Sequence, residues 1–246
     1  MEEVLKVEKL TKFYGKSQAL FGLDFSVKKG EIFALIGPNG AGKSTALKII
    51  ATLLQPSGGT VKIGGLSLLE EAEKIRKVIT YLPEDSGAYK NLSGLDYLRL
   101  MADIYADNKK EAERMVDRAR EISGLGIRLR DKSKTYSKGM VRKLLLARTM
   151  MATPMLSILD EPTSGLDVVN ATEIRQTIKA MASEGMAVLL SSHNMLEIEF
   201  LSDSVAIIDR GQIHEIGSPA DLKRKYKAAN LEEVFMKVAG SHKELR

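Results

Sequence analysis

Residues 32–50 read IFALIGPNGAGKSTALKII, and this stretch decides the fold of the chain. The run at 32–36 is continuously apolar, which is typical of a strand that a parallel sheet buries on both faces. The glycine-rich residues 37–42 predict a loop, and residues 43–54 carry apolar side chains at helical spacing. A buried strand, a glycine-rich loop and a helix in this order predict a helix N-terminus that faces an anion.

The loop matches the pattern G-x-x-x-x-G-K-[ST], which runs from Gly37 to Ser44. Glycines allow main-chain N–H groups to point inward, and the helix N-terminus adds partial positive charge. We expect the Lys43 ammonium to contact the outer phosphates of a nucleoside triphosphate and the Ser44 hydroxyl to bind Mg²⁺. The alternative is a glycine-rich turn with no ligand. The predicted nucleotide contacts are Gly37, Pro38, Asn39, Gly40, Ala41, Gly42, Lys43, Ser44 and Thr45.

A second motif lies at residues 155–161, where an apolar strand ends in Asp160 and Glu161. After a phosphate-binding loop, this pattern predicts that Asp160 holds Mg²⁺ and that Glu161 polarises the attacking water. The alternative is a buried strand that meets a solvated loop. The motif at 37–44 favours the functional interpretation.

Composition excludes several other kinds of site. The chain has 246 residues and no cysteine, so disulfides, thiolate metal sites and a cysteine nucleophile are excluded. Its three histidines, His193, His214 and His242, are well separated, which argues against a multi-histidine metal site. The net charge of +5 permits an anionic ligand, and we expect no nucleic-acid partner. Because the sequence has neither a long apolar run nor a signal-peptide pattern, the expected location is cytoplasmic.

Strand and helix patterns alternate along most of the chain. Strands are predicted at 4–10, 19–27, 32–36, 155–159, 186–191 and 204–209. The segment from about 94 to 151 has a helical pattern, and two short helices are predicted from Pro219 onward. This rhythm predicts an α/β fold with a largely parallel sheet, into which the helical segment is inserted.

Further segments carry a family resemblance. Residues 136–140 (YSKGM), just before the second motif, resemble the ABC signature L-S-G-G-Q. Residues 164–167 (SGLD) are similar to the D-loop, and His193 follows a strand as the switch histidine does. Tyr14 lies where the family stacks an aromatic ring on adenine. In this order the motifs resemble the nucleotide-binding subunit of an ABC transporter, over nearly the whole chain.

The resemblance implies an α/β fold with a P-loop NTPase core. This core would have a mixed, mostly parallel sheet, an N-terminal antiparallel β-subdomain and an inserted α-helical subdomain. A single ABC ATPase domain would fill residues 1–246. The ATP-binding core with its β-subdomain would take residues 1–93 and 152–218, the helical subdomain 94–151 and the C-terminal helices 219–246.

The resemblance also implies that two subunits share each active site. Ser137 and Gly139 would precede a helix at 140–151 and face the ATP bound to the other subunit, and Asp167 would contact that subunit. The residue pattern alone leaves another interpretation open, because a serine or an aspartate at such a position also caps a helix.

Two further roles follow from the resemblance. His193 and Lys43 would stabilise the charge that develops during hydrolysis, and Tyr14 would stack on adenine. Alternatively, His193 is a hydrogen-bonded polar residue at a strand end, and Tyr14 is a packing residue.

The chain departs from the family at Glu84, within Tyr81-Leu82-Pro83-Glu84, where a glutamine is common. A carboxylate is a good oxygen ligand for Mg²⁺. We therefore predict that Glu84 binds the metal directly or through water, while a solvated loop carboxylate is the alternative.

The segments YLPE, YSKGM and the tail 231–235 (LEEVF) resemble one branch of the family, whose single-domain ATPases work with separate export permeases. This branch implies an ATP-hydrolysing motor that dimerises around ATP and Mg²⁺ and drives an integral membrane permease. A homodimer is expected, and a heterodimer is the alternative that the sequence leaves open. The subunit would then be peripheral on the inner face of the cell membrane. The alternative is a soluble ABC ATPase that acts as an assembly scaffold, for iron–sulfur clusters or on the ribosome. The cargo is left open, because the permease would select it.

Overall fold

The computed structural model describes residues 2–241. The strands are β1 (Glu3–Tyr14), β2 (Ser17–Lys28), β3 (Ile32–Ile36), β4 (Gly58–Ile63), β5 (Leu66–Ser67), β6 (Ile79–Leu82), β7 (Leu156–Asp160), β8 (Ala187–Ser192), β9 (Ser204–Asp209) and β10 (Gln212–Gly217). The α-helices are α1 (Lys43–Ile50), α2 (Ala72–Val78), α3 (Gly94–Tyr105), α4 (Lys109–Ser123), α5 (Lys138–Met150), α6 (Val168–Ser183), α7 (Met195–Glu199), α8 (Pro219–Tyr226) and α9 (Leu231–Ser241). His242 and the end of the predicted segment 219–246 lie outside the described residues.

The larger sheet has the strand order β10-β9-β3-β8-β7-β6. The strands from β9 to β6 are parallel, and β10 pairs with β9 in the antiparallel direction at one edge. Every residue of β3, β7 and β8 is buried, as expected for a parallel sheet that is covered on both faces. The predicted α/β class and the mostly parallel sheet are therefore confirmed.

The smaller sheet is antiparallel, with the order β2-β1-β4-β5. It packs on α1 and on one face of the larger sheet, where the rings of Phe25 and Phe33 stack with centroids 5.2 Å apart. Because α1 directly follows the glycine-rich loop, this packing fixes that loop beside both sheets.

Helices α3, α4 and α5 pack on one another and against the other face of the larger sheet. Each begins with a polar cap, because Ser93, Asn108 and Ser137 accept a hydrogen bond from a main-chain N–H three residues later. One face of each helix is apolar and faces inward, with Leu98 of α3 and Met115 of α4 among the buried side chains.

The structure differs from the sequence predictions at several boundaries. Helix α1 ends at Ile50 instead of residue 54, because Thr52 has a left-handed φ of 61° and the next two N–H groups both return to Lys48 O. Helix α5 begins at Lys138 instead of residue 140, so Gly139 lies inside its first turn. The patterns also do not predict β4, β5, β6, β10 and α2. Strands β5 and β6 and helix α2 are short, and β4 and β10 are mostly exposed or half-buried and lack a continuous apolar run.

The C-terminal segment forms α8 and α9, as its pattern predicts. Pro219 opens α8 after the Ser218 cap, and Leu231, Val234 and Val238 of α9 are buried. Within residues 2–241, no helix combines the length and the apolar character that crossing a membrane requires.

Candidate functional site

Three loops meet at one edge of the larger sheet. Strands β3, β8 and β7 are adjacent and parallel, so the loops that follow their carboxyl ends lie together. These loops begin at residues 37, 193 and 161. Open α/β sheets bind their ligands at this edge.

The loop after β3 needs glycine at two positions. A Cβ at Gly37 would overlap the Ile208 carbonyl of β9, and Gly42 has a φ of 104°, a left-handed value that favours glycine. Gly42 also lies directly before α1 and has no side chain with which to cap it. The first N–H groups of α1 are thus available to an anion. The predicted contacts at 37–45 therefore surround a helix start, and their contact with a nucleotide stays a prediction.

The Lys43 side chain is buried where two of the loops meet. Its Nζ donates to the carbonyls of Gly37 (2.8 Å) and Pro38 (3.2 Å) and lies 3.6 Å from Glu161 Oε1. The ammonium therefore joins the loop after β3 to the loop after β7. Its charge lies at the point where the outer phosphates of a nucleotide are predicted to bind.

The Asp160 carboxylate accepts hydrogen bonds from three hydroxyl groups. Ser191 Oγ (2.6 Å) and Ser44 Oγ (3.1 Å) donate to Oδ1, and the Tyr81 hydroxyl donates to Oδ2 at 3.3 Å. Burial, reinforced by the Asp160 carboxylate, raises the pKa of Tyr81, so its hydroxyl stays a protonated donor at neutral pH. Asp160 is 3% exposed, and these donors replace the water that it loses.

The donor chemistry of this pair fits Mg²⁺. Ser44 and Asp160 offer a hydroxyl and a carboxylate oxygen within 3.1 Å of each other, and Mg²⁺ prefers oxygen ligands. Among the described residues, no group of three or more His, Cys, Asp or Glu could hold a metal by itself. Mg²⁺ usually completes its shell with substrate phosphates and water, so a site with few protein ligands is sufficient.

The Glu161 carboxylate lies between the Lys43 ammonium and the His193 imidazole. Oε2 is 3.0 Å from His193 Nδ1, and Oε1 faces the Lys43 ammonium. The main-chain N–H of Glu161 donates to Ser191 Oγ at 3.0 Å, and Glu161 has a left-handed φ of 48°. Glu161 is buried whereas His193 is half-exposed, so the imidazole covers the carboxylate on its solvent side. A carboxylate held in this way beside a predicted phosphate site can accept a proton from water.

A second group of predicted residues lies where α5 and α6 begin. Ser137 Oγ caps α5 by accepting from Met140 N (3.2 Å), and Asp167 caps α6 by accepting from Asn170 N (2.9 Å). The Asn170 side chain also packs so closely on Gly139 that a Cβ there would overlap it. The two helix starts are therefore in contact, and the capping roles left open by the sequence are both present. The contact of these residues with a second subunit stays a prediction.

Tyr14 ends β1, at the hairpin that leads into β2. Its ring is half-exposed, and Lys12 Nζ lies 5.4 Å from the ring centroid. Strand β2 borders the phosphate-binding loop, because a Cβ at Gly42 would lie 2.7 Å from Leu20. The exposed ring is thus on the hairpin next to the loop, and its stacking on adenine stays a prediction.

Glu84 is exposed in the loop after β6. Its Oε1 accepts a hydrogen bond from the Ser164 Oγ at 3.4 Å, and Ser164 belongs to the loop after β7. This bond orients Glu84 toward the residues that follow Glu161, and its contact with a metal stays a prediction.

Several residues that orient the site are not identified by the sequence patterns. Ser191 holds both Asp160 and Glu161, and a serine at the end of an apolar strand is a signal that could have found it. Glu197 of α7 accepts from Thr163 Oγ1 (2.9 Å) and from Arg175 of α6, which ties the segment after β8 to the loop after β7. Its partners are distant in sequence, so no local pattern points to this role.

Comparisons with known proteins agree with the fold. The family described as "ABC transporter" matches residues 20–164, more than half of the chain. The linearmycin resistance ATP-binding protein LnrL of Bacillus subtilis (strain 168) is 37% identical over 219 residues, which cover 89% of this chain and 70% of that protein. The lantibiotic transport ATP-binding protein SrtF of Streptococcus pyogenes is 34% identical and covers 94% of this chain and 96% of its own length. A solved ATP-binding subunit of an ABC transporter superposes with a TM-score of 0.86 at 32% identity, over 96% of this chain and 99% of that one.

Proposed function

This chain belongs to the ABC transporter family, and on that premise we propose that it is the ATP-binding, ATP-hydrolysing motor subunit of an export system. The names of its relatives, a linearmycin resistance and a lantibiotic transport ATP-binding protein, support export. One observation carries the proposal: the Glu161 carboxylate lies between the Lys43 ammonium and the His193 imidazole, beside the phosphate-binding loop.

Each polar group then has a role in hydrolysis. The N–H groups at 37–45 and the Lys43 ammonium bind the phosphates of ATP, and Tyr14 stacks on the adenine. Glu161 accepts a proton from the attacking water and orients it toward the γ-phosphorus. Lys43 and His193 stabilise the negative charge that develops on the departing phosphate.

Ser44 and Asp160 are the residues that would hold Mg²⁺, and Glu84 would reach the metal directly or through water. When bound, the metal neutralises the charge of the phosphates. The hydrogen bonds from Ser191 and Tyr81 keep the Asp160 carboxylate in one orientation. This support is typical of carboxylates that coordinate a metal.

A second copy of the chain would complete the site. The start of α5, with Ser137 and Gly139, would face the ATP of the other subunit, because a helix N-terminus favours an anion. Asp167 would contact the same subunit. The tight contact between Gly139 and Asn170 supports this role, since it packs the start of α5 directly against the start of α6.

An integral membrane permease would be the partner that receives the motion. Tyr89, Ile104 and Tyr105, in the loop before α3 and on α3, are large apolar side chains that are exposed to solvent. They lie within or next to the predicted helical subdomain, 94–151, on the chain that continues from Glu84. Contiguous exposed apolar surface is typical of a protein interface, so this segment is where we expect the permease to bind. The permease would hold the motor at the inner face of the membrane.

The test begins with the purified protein and its Glu161→Gln variant. We expect Mg²⁺-dependent ATP hydrolysis by the wild type, and a loss of about 100-fold or more in kcat for the variant. The variant should still bind ATP and should accumulate as an ATP-bound dimer in size-exclusion chromatography. Hydrolysis by Glu161→Gln at the wild-type rate would refute the assignment. Co-purification with a multi-span membrane protein separates an export motor from a soluble assembly scaffold, which the names of the relatives do not favour.

A further inference from the structure

Arg142 is a buried arginine of α5 that the proposed mechanism leaves unexplained. It is 8% exposed and lies on the second turn of the helix that begins at the Ser137 cap. A buried guanidinium loses its hydration, so it is stable only where protein groups replace the lost water.

The protein provides a main-chain carbonyl for each N–H group of this guanidinium, which has five. Nε donates to Pro162 O (2.8 Å), Nη1 to Pro83 O (3.0 Å) and Glu84 O (3.2 Å), and Nη2 to Asp160 O (2.9 Å) and Glu161 O (2.6 Å). A lysine has three donors and a glutamine has two, so neither can bind all of these carbonyls.

These carbonyls belong to two different loops of the active site. Residues 160–162 end β7 and begin the loop that carries Glu161, and residues 83–84 follow β6. Arg142 binds the main chain of both loops and leaves the side chains of Asp160 and Glu161 to their own partners. One side chain of α5 therefore holds two loops that are far apart in sequence.

The conformation of Glu161 needs such support. Its φ of 48° is left-handed, which costs a residue other than glycine free energy unless the surroundings impose it. Arg142 binds the carbonyl on each side of this torsion, and Ser191 binds the N–H. An arginine guanidinium stays protonated in proteins, so Arg142 keeps all five of its donors.

We propose that Arg142 is a positioning residue for ATP hydrolysis, which couples the start of α5 to the loops that carry Glu84 and Glu161. The inference rests on the proposed ATPase function. Any displacement of α5, such as the one expected when a second copy closes on the nucleotide, moves both loops with it. Arg142 acts through the main chain of these residues and touches no substrate.

The test compares Arg142→Lys with Arg148→Lys, an arginine two turns along the same helix. Arg148 is half-buried and donates to Tyr81 O and Thr149 Oγ1 but to neither loop, so it is a matched control. For Arg142→Lys we expect kcat to fall by about 10- to 100-fold, because the water-activating carboxylate is misplaced. KM for ATP should change by less than about threefold, because the phosphate-binding loop is intact. Arg148→Lys should keep the kcat of the wild type.

Chemical rescue distinguishes a fall in kcat that is caused by lost positioning from one that is caused by misfolding. Arg142→Ala leaves a cavity of guanidinium shape, so guanidinium chloride at a sub-denaturing concentration should restore part of its kcat, and sodium chloride of equal ionic strength should not. An Arg142→Lys variant with the kcat of the wild type would overturn the inference, as would a fall in kcat that equals that of Arg148→Lys. If the wild type itself hydrolyses no ATP, the proposed function fails first, and ATP binding by the Arg142 variants then carries no information on positioning.

Discussion

Ser191→Ala is the substitution that most directly tests how the site is held together. Ser191 is fully buried, and its hydroxyl makes two bonds: it donates to Asp160 Oδ1 at 2.6 Å and accepts from the Glu161 N–H at 3.0 Å. Alanine removes both bonds and adds no new group. The neighbouring Ser192 is the matched control, because it is equally buried and its hydroxyl accepts one bond, from Asn194 N at 3.0 Å.

The expected magnitude follows from the partners. A hydrogen bond to a charged group contributes about 1.5–3 kcal/mol to the free energy of unfolding, and a buried N–H without a partner costs about 1–3 kcal/mol. Because the two effects share one hydroxyl and overlap, we expect Ser191→Ala to lower the free energy of unfolding by about 3–4 kcal/mol. Ser192→Ala loses one neutral bond and should cost about 1 kcal/mol.

Thermal unfolding without nucleotide measures the difference. The chain has no tryptophan, so circular dichroism is the suitable signal. In a chain of this size each kcal/mol shifts Tm by about 2–4 °C, which predicts a fall of about 10 °C for Ser191→Ala and about 3 °C for Ser192→Ala. Two variants that melt within about 2 °C of each other would refute the view that Ser191 carries the charged bond.

The other predictions concern the metal, pH and the phosphate-binding loop. Glu84→Ala should raise the Mg²⁺ concentration for half-maximal ATPase activity by about tenfold and Glu84→Gln by less, because an amide oxygen is still a ligand; unchanged values in both variants contradict the metal role. Because burial and the Asp160 carboxylate raise the pKa of Tyr81, an unfolded tyrosine ionises first, at about pH 10. The free energy of unfolding of the wild type should therefore fall more steeply above pH 10 than that of Tyr81→Phe, and parallel curves in pH-dependent urea unfolding would argue against it. Gly37→Ala should leave little folded protein because its Cβ overlaps a main-chain oxygen, whereas Gly87 has open space around it and Gly87→Ala should change the free energy of unfolding by less than about 0.5 kcal/mol. Equal melting temperatures for these two variants would disprove the steric argument.

The sequence predicts the central strands and the helix after the phosphate-binding loop because their patterns are local and strong. Residues 32–36 are continuously apolar, and all five are buried in β3. The short strands at the sheet edges have no such pattern, and the pairing of β10 with β9 depends on partners that a local window does not contain. The end of α1 is likewise set by Thr52, which adopts a left-handed conformation. Because this residue is not a glycine, its type does not predict that conformation.

The candidate site likewise has residues that the sequence predicts and residues that it does not. Motif order assigns Lys43, Asp160, Glu161 and His193 to one site. In the structure the side chains of Lys43 and His193 both contact the Glu161 carboxylate, and Ser191 joins the Asp160 carboxylate to the main-chain N–H of Glu161. No motif points to Arg142, because its partners are main-chain carbonyls, which every residue has.

Residue types and their spacing thus predict the chemistry of this chain: a glycine-rich loop for phosphate, oxygen ligands for a divalent cation and a carboxylate that activates water. Folding alone determines how those groups are oriented, since the strand order β3-β8-β7 places three distant loops at one edge. The supports of the site, such as Ser191 and Arg142, act across that edge through groups that have no sequence signature. Sequence patterns miss these residues because local propensity depends on neighbours along the chain, whereas burial and hydrogen bonding depend on neighbours in space.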